Sequence, residues 1–472
     1  MSASDQQNKR WSVFFVVAVG VFMSTMDSSM VNIALSSIMR EFSSPLRETE
    51  WVVMIYLLTI TATILFWGHL SDRLGRRKIY SMGMFIFAGG SLACTCSPRL
   101  GWLVFSRFIQ AVGAAMMMST GPAIIKETSP PDQLGRSLGM IGVAVSIGLM
   151  TGPFVSGLLI EYYSWRSIFL ITVPVGLLFG LLAGKVIPIS KKISFTPREL
   201  DWRGTICWTI TVTLFFVAVS HATAPAWSTL RISIILAAAV VVLSIFVRME
   251  IKAVHPLLPL RFFKKWFFSS AIISSILSFT LLFSAIILTP FYLDRVLVLP
   301  SSKVGLIMMA IPLSAMVVAP CAGWMSDMFG AKRLSTLGLL ISTSGLLFLA
   351  GLTPETRPIH VGYMLALLGC GQAMFLSPNS ASVLARVIKE HTGASSAMLA
   401  TARNLGMLLG IAQSGLIFSY FFSRLTGGLD MKDVSGDNVI QFVTALKYAF
   451  LAAAATGLLA ALVSWLREND TQ

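Results

Sequence analysis

Two copies of one short polar motif, each set between two long apolar runs, constrain the fold of this chain more than any other feature. The first copy, GHLSDRLGRRK, spans residues 68–78, and the second, GWMSDMFGAKR, spans residues 323–333. The glycines, the Ser-Asp pair and the closing basic pair recur at the same spacing, 255 residues apart. Such a long repeat between membrane segments predicts two structurally related halves.

The composition indicates an integral membrane protein. Hydrophobic residues make up 55% of the chain and charged residues 12%, against roughly 25% charged residues in soluble domains. The net charge of +15 does not indicate a nucleic-acid partner, because the basic residues lie in short loops between apolar runs. That distribution follows the positive-inside rule, with the lipid bilayer as the partner.

The pattern predicts an all-α fold with fourteen transmembrane helices, because each apolar run has the length of about 17–25 residues that crosses a bilayer. The predicted spans lie near residues 11–36, 49–69, 79–97, 100–126, 136–160, 165–187, 203–221, 229–248, 267–292, 303–325, 333–352, 360–385, 394–422 and 443–466.

The repeat divides these spans into two pseudo-repeated six-helix bundles and an insertion. The predicted boundaries are residues 1–187 for the first bundle, 188–266 for a linker with two inserted helices, and 267–472 for the second bundle. The excess of Lys and Arg in alternate loops predicts that both termini face the cytoplasm. We expect a multi-pass protein of the cell inner (plasma) membrane that functions as a monomer.

Three further motifs lie within predicted helices. Helix 1 contains MDSSMVNIAL at residues 26–35, helix 4 contains RFIQAVGAA at residues 107–115, and helix 5 contains GLMTGPFVSG at residues 148–157. Small residues at four-residue spacing allow close approach of neighbouring helices. Pro153 frees a backbone carbonyl and bends helix 5, which suits a hinge or a tight seal; ordinary helix packing is the alternative.

With these motifs the chain resembles the major facilitator superfamily, and more narrowly its fourteen-helix drug:proton antiporter branch. The first loop copy follows that family's G-x-L-a-D-R-x-G-R-R-K pattern throughout, and the resemblance covers nearly the whole chain. The chain departs from the family patterns at four places. The departures are Ser29 for Thr, Ser36 for Pro, Ala111 for Gly and Ser156 for Gly.

The resemblance implies roles for two of the motifs. In the family the repeated loop closes the cytoplasmic side, which makes a cytoplasmic gate of Gly68, Asp72, Arg73, Gly75, Arg76, Arg77, Lys78 and Asp327. The helix 5 motif is associated with exporters, which makes an antiporter helix of Gly148, Gly152, Pro153 and Gly157. Ser156 places a side chain at a position where the family's glycine would allow direct contact between the backbones of two helices.

Asp27 is the one acidic residue predicted to lie deep within a span. A carboxylate near the bilayer midplane is costly and is rarely kept without a role. Burial disfavours its charged form, so Asp27 is predicted to load and release a proton. A hydrogen bond between helices, without proton transfer, is the structural alternative.

Arg107 is the predicted partner of Asp27. At 1.5 Å per residue, Arg107 lies about 10 Å and Asp27 about 13 Å below the outer ends of their helices. The family packs both helices on the central cavity, which supports a pair or relay between them. A bond from Arg107 to backbone carbonyls is the alternative role.

Residues that accept varied apolar shapes, or that hold cations over ring faces, are the candidates for substrate binding. The candidates are Met23, Met26, Met30, Asn32, Met54, Tyr56, Gln110, Phe279, Phe283, Tyr292 and Asn379. For any single one of them, a contact with lipid or core is the alternative.

The resulting hypothesis is a proton-coupled multidrug efflux antiporter that exports amphipathic, often monocationic compounds by alternating access. The alternative is a dedicated exporter of a single metabolite, natural product or lipid-like compound. A membrane enzyme or sensor is disfavoured, because nucleophile motifs and an appended soluble domain are lacking. No cofactor or metal is expected, and no nucleotide-binding loop is found. One deep acid predicts roughly one proton per cycle, so divalent cations should be poor substrates.

Overall fold

The fold was analysed in a computed structural model, which describes residues 3–128, 134–189, 202–220, 228–252, 260–385, 392–429, 431 and 436–467. All regular secondary structure in these residues is helical. The α-helices are α1 (Ala3–Phe42), α2 (Leu46–Leu74), α3 (Arg76–Thr95), α4 (Leu100–Thr128), α5 (Leu134–Tyr162), α6 (Ser167–Leu170), α7 (Thr172–Val186), α8 (Trp202–Ser220), α9 (Thr229–Lys252), α10 (Trp266–Arg295), α11 (Ser301–Met308), α12 (Ala310–Phe329), α13 (Ala331–Ala350), α14 (Pro358–Ala385), α15 (Thr392–Thr426) and α16 (Val439–Trp465).

These helices make fourteen crossings, because α6 continues into α7 and α11 into α12 after a single residue. Within the described residues, eleven helical spans are long and apolar enough to cross a membrane. In α5 and α8 the described apolar stretches are shorter, Ile147–Tyr162 and Trp202–Ala218. The one remaining crossing is α3, which begins with three basic residues that lower its mean hydropathy. The predicted all-α architecture with fourteen spans is confirmed.

The helices form two sets with matching internal contacts. In the first set, α1–α7, the pair α3 and α4 packs closely, and in the second set, α10–α16, the pair α13 and α14 does the same. Helices α8 and α9 pack on each other, and α8 also packs on α2 of the first set.

The repeated motif forms the same turn in both sets. Gly75 joins α2 to α3 with φ of 95°, and Gly330 joins α12 to α13 with φ of 82°. The Gly75 N–H donates to Ser71 O, and the Gly330 N–H donates to Ser326 O. A positive φ is costly for residues with a Cβ, which explains why glycine occupies both positions.

These two turns mark what we name the basic end of the bundle, and the turn at residues 43–45 marks the opposite end. At the opposite end the two sets are joined by an ion pair between Arg40 Nη1 and Asp294 Oδ1 at 3.0 Å. The Ser302 N–H also donates to Glu161 Oε2 at 3.0 Å. The bundle is therefore closed at the opposite end.

Candidate functional site

Asp27, Arg107 and Gln110 form a fully buried polar cluster between α1 and α4. Arg107 Nη1 donates to Asp27 Oδ2 at 2.6 Å and to Gln110 Oε1 at 2.5 Å. Gln110 Nε2 donates to the other carboxylate oxygen, Asp27 Oδ1, at 2.9 Å. All three side chains have no solvent exposure. Arg107 and Gln110 are three residues apart on α4, so both point at the same site on α1.

The hydrogen-bonded cluster continues into α3 and α7. Gln110 Nε2 donates to Ser91 Oγ at 2.7 Å. Thr172 Oγ1 donates to the same Ser91 oxygen at 3.0 Å. Ser91 and Thr172 are also fully buried. These polar groups give the carboxylate a connected environment in an otherwise apolar bundle, where an unpaired polar group would be costly.

Arg107 makes both of the contacts that the sequence left as alternatives. Besides its ion pair with Asp27, its Nε donates to the backbone oxygen of Val52 on α2 at 3.1 Å. The guanidinium carbon lies 4.1 Å from the centroid of the Tyr56 ring and 5.6 Å from that of Phe169. Ring faces attract a cation, and this attraction is stronger where water is excluded. Arg107 thus links α1, α2 and α4.

The geometry couples the charge of Asp27 to its contact with Arg107. A buried ion pair is tolerated because each charge compensates the other, whereas one charge left alone costs about 3–5 kcal/mol. Adding a proton to Asp27 removes the negative charge that holds Arg107. Without that charge the buried arginine would lose its ion pair.

Helix α5 packs tightly on α1, close to the cluster. A Cβ on Gly152 would lie 2.9 Å from Ser29 Cβ and 3.0 Å from Met26 O, and one on Gly148 would lie 2.8 Å from Phe22 O. Ser156, which departs from the family pattern, donates through Oγ to Met30 O at 2.9 Å. The serine therefore adds a hydrogen bond to this close contact.

The other side of α5 contacts the second set. A Cβ on Gly157 would lie 2.5 Å from Ser301 O, and Gly305 of α11 abuts the backbone of Pro153. Helix α5, the predicted antiporter helix, therefore lies between α1 of the first set and α11 of the second set.

The predicted gate residues lie at the basic end. Arg76 Nη1 donates to Ala123 O at 2.9 Å and forms an ion pair with Glu127 at 2.9 Å, which joins the loop to the end of α4. The other gate residues share this end. Gly68, Arg73 and Arg77 are partly exposed and Lys78 is exposed. The side chains of Asp72 and Asp327 lie outside the described part of the structure.

The eleven predicted substrate residues are all buried but do not form one site. Tyr56 and Gln110 belong to the Asp27 cluster. Phe279 and Phe283 of α10 pack against glycines of α15. The Tyr292 hydroxyl donates to Thr353 O at 2.6 Å, at the opposite end. The remaining residues on α1 and α2 are Met23, Met26, Met30, Asn32 and Met54, and no described residue bonds Asn32 Oδ1.

Asn379 belongs to a separate network at the basic end. Its Nδ2 donates to Ser275 Oγ at 2.9 Å, and its Oδ1 accepts from Arg467 Nη1 at 2.9 Å. Arg467 is 2% exposed, and its guanidinium carbon lies 3.7 Å from the centroid of the Phe267 ring. Sequence reasoning missed Arg467, because a basic residue after the last span is typical of any cytoplasmic tail.

Glu50 is a second residue that sequence reasoning missed. It lies near the start of α2, where an acid reads as a helix-end residue, yet it is only 3% exposed. Helix α15 of the second set covers it. Its distance along the chain from α15 explains why no local pattern signals the burial.

No group in the described residues suggests a metal site, since none brings three His, Cys, Asp or Glu side chains together. The free cysteines are likewise scattered, at Cys94, Cys96, Cys207, Cys321 and Cys370.

The fold resembles those of solved transporters. A bacterial homologue of the human lysosomal transporter Spinster, in an inward-facing and unoccupied conformation, superposes with a TM-score of 0.73 and 15% identity, covering 97% of each chain. The xylose transporter XylE from E. coli superposes with a TM-score of 0.64 over 98% of this chain and 99% of that one, at 17% identity.

Sequence comparisons give nearer relatives. The riboflavin transporter RibZ of Clostridioides difficile (strain 630) is 33% identical over 88% of this chain and 89% of its own length. The multidrug resistance protein Stp of Mycobacterium tuberculosis is 29% identical over 86% of this chain and 75% of its own length. The family model of the Major Facilitator Superfamily matches residues 17–411 and, in a second match, residues 268–472. The chain therefore belongs to the Major Facilitator Superfamily and is a membrane transporter, not an enzyme.

Proposed function

We propose that this transporter is a proton-coupled antiporter of the fourteen-helix drug:proton branch, exporting amphipathic compounds, often monocations. The observation that carries the proposal is the buried cluster in which Arg107 and Gln110 hold both oxygens of Asp27. An intramembrane carboxylate of this kind is costly unless its charge is used. Two relatives support the direction of transport: a multidrug resistance protein and a tetracenomycin C resistance and export protein.

The proposed cycle alternates the protonation of Asp27. When Asp27 is ionised, it pairs with Arg107, as in the cluster described here. A proton that binds a carboxylate oxygen breaks this pair and frees the guanidinium to move toward other acceptors. Since Arg107 also bonds the backbone of α2, its release loosens the contact between α1, α4 and α2. Substrate release then accompanies proton uptake, and proton release accompanies substrate uptake.

We further propose that α1–α7 and α10–α16 move as two bodies. Helix α5 is the seam on which they rock, because it contacts α1 through Gly148 and Gly152 and contacts α11 through Gly157. The basic end carries the gate loop and faces the cytoplasm of the cell, with both termini. The opposite end faces outward, so the described state is the one closed to the outside. A monomer suffices for this cycle.

Labelling of an introduced cysteine tests the orientation. The variant Lys78→Cys, at an exposed position of the gate loop, should resist a membrane-impermeant thiol reagent in intact cells and react fully after permeabilisation. Ser43→Cys, in the exposed turn at the opposite end, is the matched control and should react in intact cells. Labelling of Cys at position 78 from outside would reverse the assignment.

Reconstituted protein tests the function itself. Exported compounds are first identified in an efflux-deficient strain. Its susceptibility to cationic dyes, biocides and antibiotics is compared with and without the protein. One exported compound is then assayed in proteoliposomes with an imposed pH gradient. We expect accumulation up to about tenfold per pH unit for exchange with one proton, and poor export of dications. Transport that ignores the pH gradient would contradict proton coupling.

A dedicated metabolite exporter is the second candidate, and two observations favour it. The relative with 33% identity is a riboflavin transporter. On α15, the buried Asn404 Nδ2 has no hydrogen-bond partner among the described residues, and the cation Arg403 precedes it. These donors suit carbonyl or anionic groups better than cations. A profile with no drug phenotype, combined with riboflavin export above that of the empty strain, would select this candidate.

A further inference from the structure

Helix α8, the first of the two inserted helices, has two different faces. Trp202, Ile206 and Ile210 follow one another at four-residue spacing and are all exposed. Val212 and Phe216 are also four residues apart, and they are 3% and 0% exposed. Residues at this spacing lie on the same side of a helix. One face of α8 is therefore available to lipid, and another face packs on the bundle.

The packed face is hydrogen-bonded to the backbone of α2. Trp208 Nε1 donates to Thr61 O at 3.1 Å, and Thr209 Oγ1 donates to Ala62 O at 3.4 Å. Backbone carbonyls of a helix keep their positions, unlike the ends of long side chains. These two bonds to consecutive carbonyls therefore fix α8 on the first set of helices.

The same part of α8 packs on the second set. Trp208 lies against a buried apolar cluster that contains Met398, Leu399 and Ala402 of α15, and Leu65 of α2 packs against the same cluster. Helices α2 and α15 also pack directly on each other. We name the place where α2 and α15 meet beside this cluster the lateral junction. Helix α8 thus lies across a junction between the two sets.

The lateral junction lies at the level of polar groups of α15. Glu50 of α2 rests against Gly415 of α15 near the opposite end. Thr61 and Asn404 are each eleven residues closer to the basic end on these antiparallel helices, which is about 16 Å for both. Thr401 Oγ1 and Asn404 Nδ2 are buried and have no hydrogen-bond partner among the described residues. Acyl chains could not bond such groups, so their entry at this level would be costly.

We propose that α8 is a lateral seal, which keeps phospholipid acyl chains out of the junction between α2 and α15. The ring of Trp208 is the group that fills the junction. The second inserted helix, α9, lies outside this seal and faces lipid through exposed residues such as Leu230, Val240 and Ile251. This role goes beyond the proposed function, because it holds whether or not transport is coupled to protons.

Collision rates of spin labels test the seal. Molecular oxygen concentrates in hydrocarbon and a nickel chelate stays in water, so the two reagents distinguish lipid, water and protein surroundings. The full-length protein, with its native cysteines replaced by alanine, is placed in phosphatidylcholine nanodiscs. A label at Leu65→Cys reports on the junction. Leu178→Cys on α7, which is exposed, gives the lipid value, and the exposed Lys78→Cys gives the water value.

The label at Leu65→Cys should collide rarely with both reagents while Trp208 is present. Trp208→Ala should raise its oxygen collision rate toward the value at Leu178→Cys and leave the nickel rate low. Trp208→Phe cannot donate to Thr61 O but keeps a ring in the junction, and should preserve the protection. Trp102→Ala is the matched control: it truncates an exposed tryptophan of α4, away from the junction, and should change nothing at position 65.

Two results would overturn the seal: a lipid-like oxygen rate at Leu65→Cys with Trp208 in place, or protection that survives Trp208→Ala. Equal opening in Trp208→Phe and Trp208→Ala would refute the role of the ring. If Trp208→Ala does not fold, labels on the two faces of α8 decide. Ile206→Cys should give the lipid value and Val212→Cys a protected one, and equal oxygen rates at both would refute the seal. Proton coupling is read separately, from Asp27→Asn in proteoliposomes.

Discussion

Asp27→Asn is expected to abolish proton-driven export while leaving the chain able to fold. The amide keeps a hydrogen-bond acceptor for Arg107 but cannot take up or release a proton. Accumulation driven by a pH gradient should fall from up to about tenfold per pH unit to none. Proteoliposomes with an imposed gradient measure this loss, and energy-independent binding of neutral compounds should persist.

A charge-matched double variant separates loss of coupling from loss of stability. Asp27→Asn leaves Arg107 buried without its counter-charge, a loss of about 3–5 kcal/mol in comparable buried pairs. Asp27→Asn combined with Arg107→Gln removes both charges and should recover thermal stability in detergent. Export should remain uncoupled in the double variant. Uphill export by either variant would show that another residue carries the proton.

Gly152→Ala is expected to disrupt the packing of α5 on α1, and with it the position of α5 at the contact with α11. The added methyl group would overlap Ser29, and it would also press on Met26 O of the α1 backbone at 3.0 Å. Because backbone atoms cannot move aside as a flexible side chain does, α5 must shift, at a cost of about 1–3 kcal/mol. We expect a lower melting temperature in detergent and a transport rate reduced more than the protein level.

Gly89→Ala is the matched control for this substitution. It adds the same methyl group to a transmembrane helix, α3, at a position where nothing lies within 4 Å. Stability and transport should be unchanged there. Equal effects of the two variants would mean that the loss comes from adding a methyl group to any transmembrane helix, and that the packing of α5 on α1 has no special role.

The two sets share their backbone repeat but not their polar chemistry. The turns at Gly75 and Gly330 match, and so do the helix pairs that follow them. In the described residues the buried acid with its arginine partner is found in the first set alone, at Asp27 and Arg107. The second set instead places Asn379 and Arg467 at the basic end. Proton coupling is therefore expected to follow changes in α1 and α4 rather than in α10 and α14.

The sequence by itself determined the class of fold and the depth of the central pair. The length of each apolar run can be read directly from the sequence. In lipid the backbone N–H and C=O groups of each run must be hydrogen-bonded within the run, which requires a helix. The constant rise along a helix then gives the depth of a residue, which is why Asp27 and Arg107 could be matched before any contact was known. The repeated glycine turns could also be recognised in the sequence, because a positive φ restricts the residue type at that one position.

Only the tertiary structure decided which side chains meet across helices. Hydropathy does not report the direction that a residue faces around its helix axis, because every face of these helices is largely apolar. Gln110 and Ser91 therefore joined Asp27 only in the folded bundle, and Tyr292 and Asn379 proved to lie at different ends. The sequence around Glu50 indicates an acid at a helix end. In the structure Gly415, more than 300 residues later in the chain, covers its side chain. Depth is a property of one helix, whereas burial of a charge depends on the helix that packs against it.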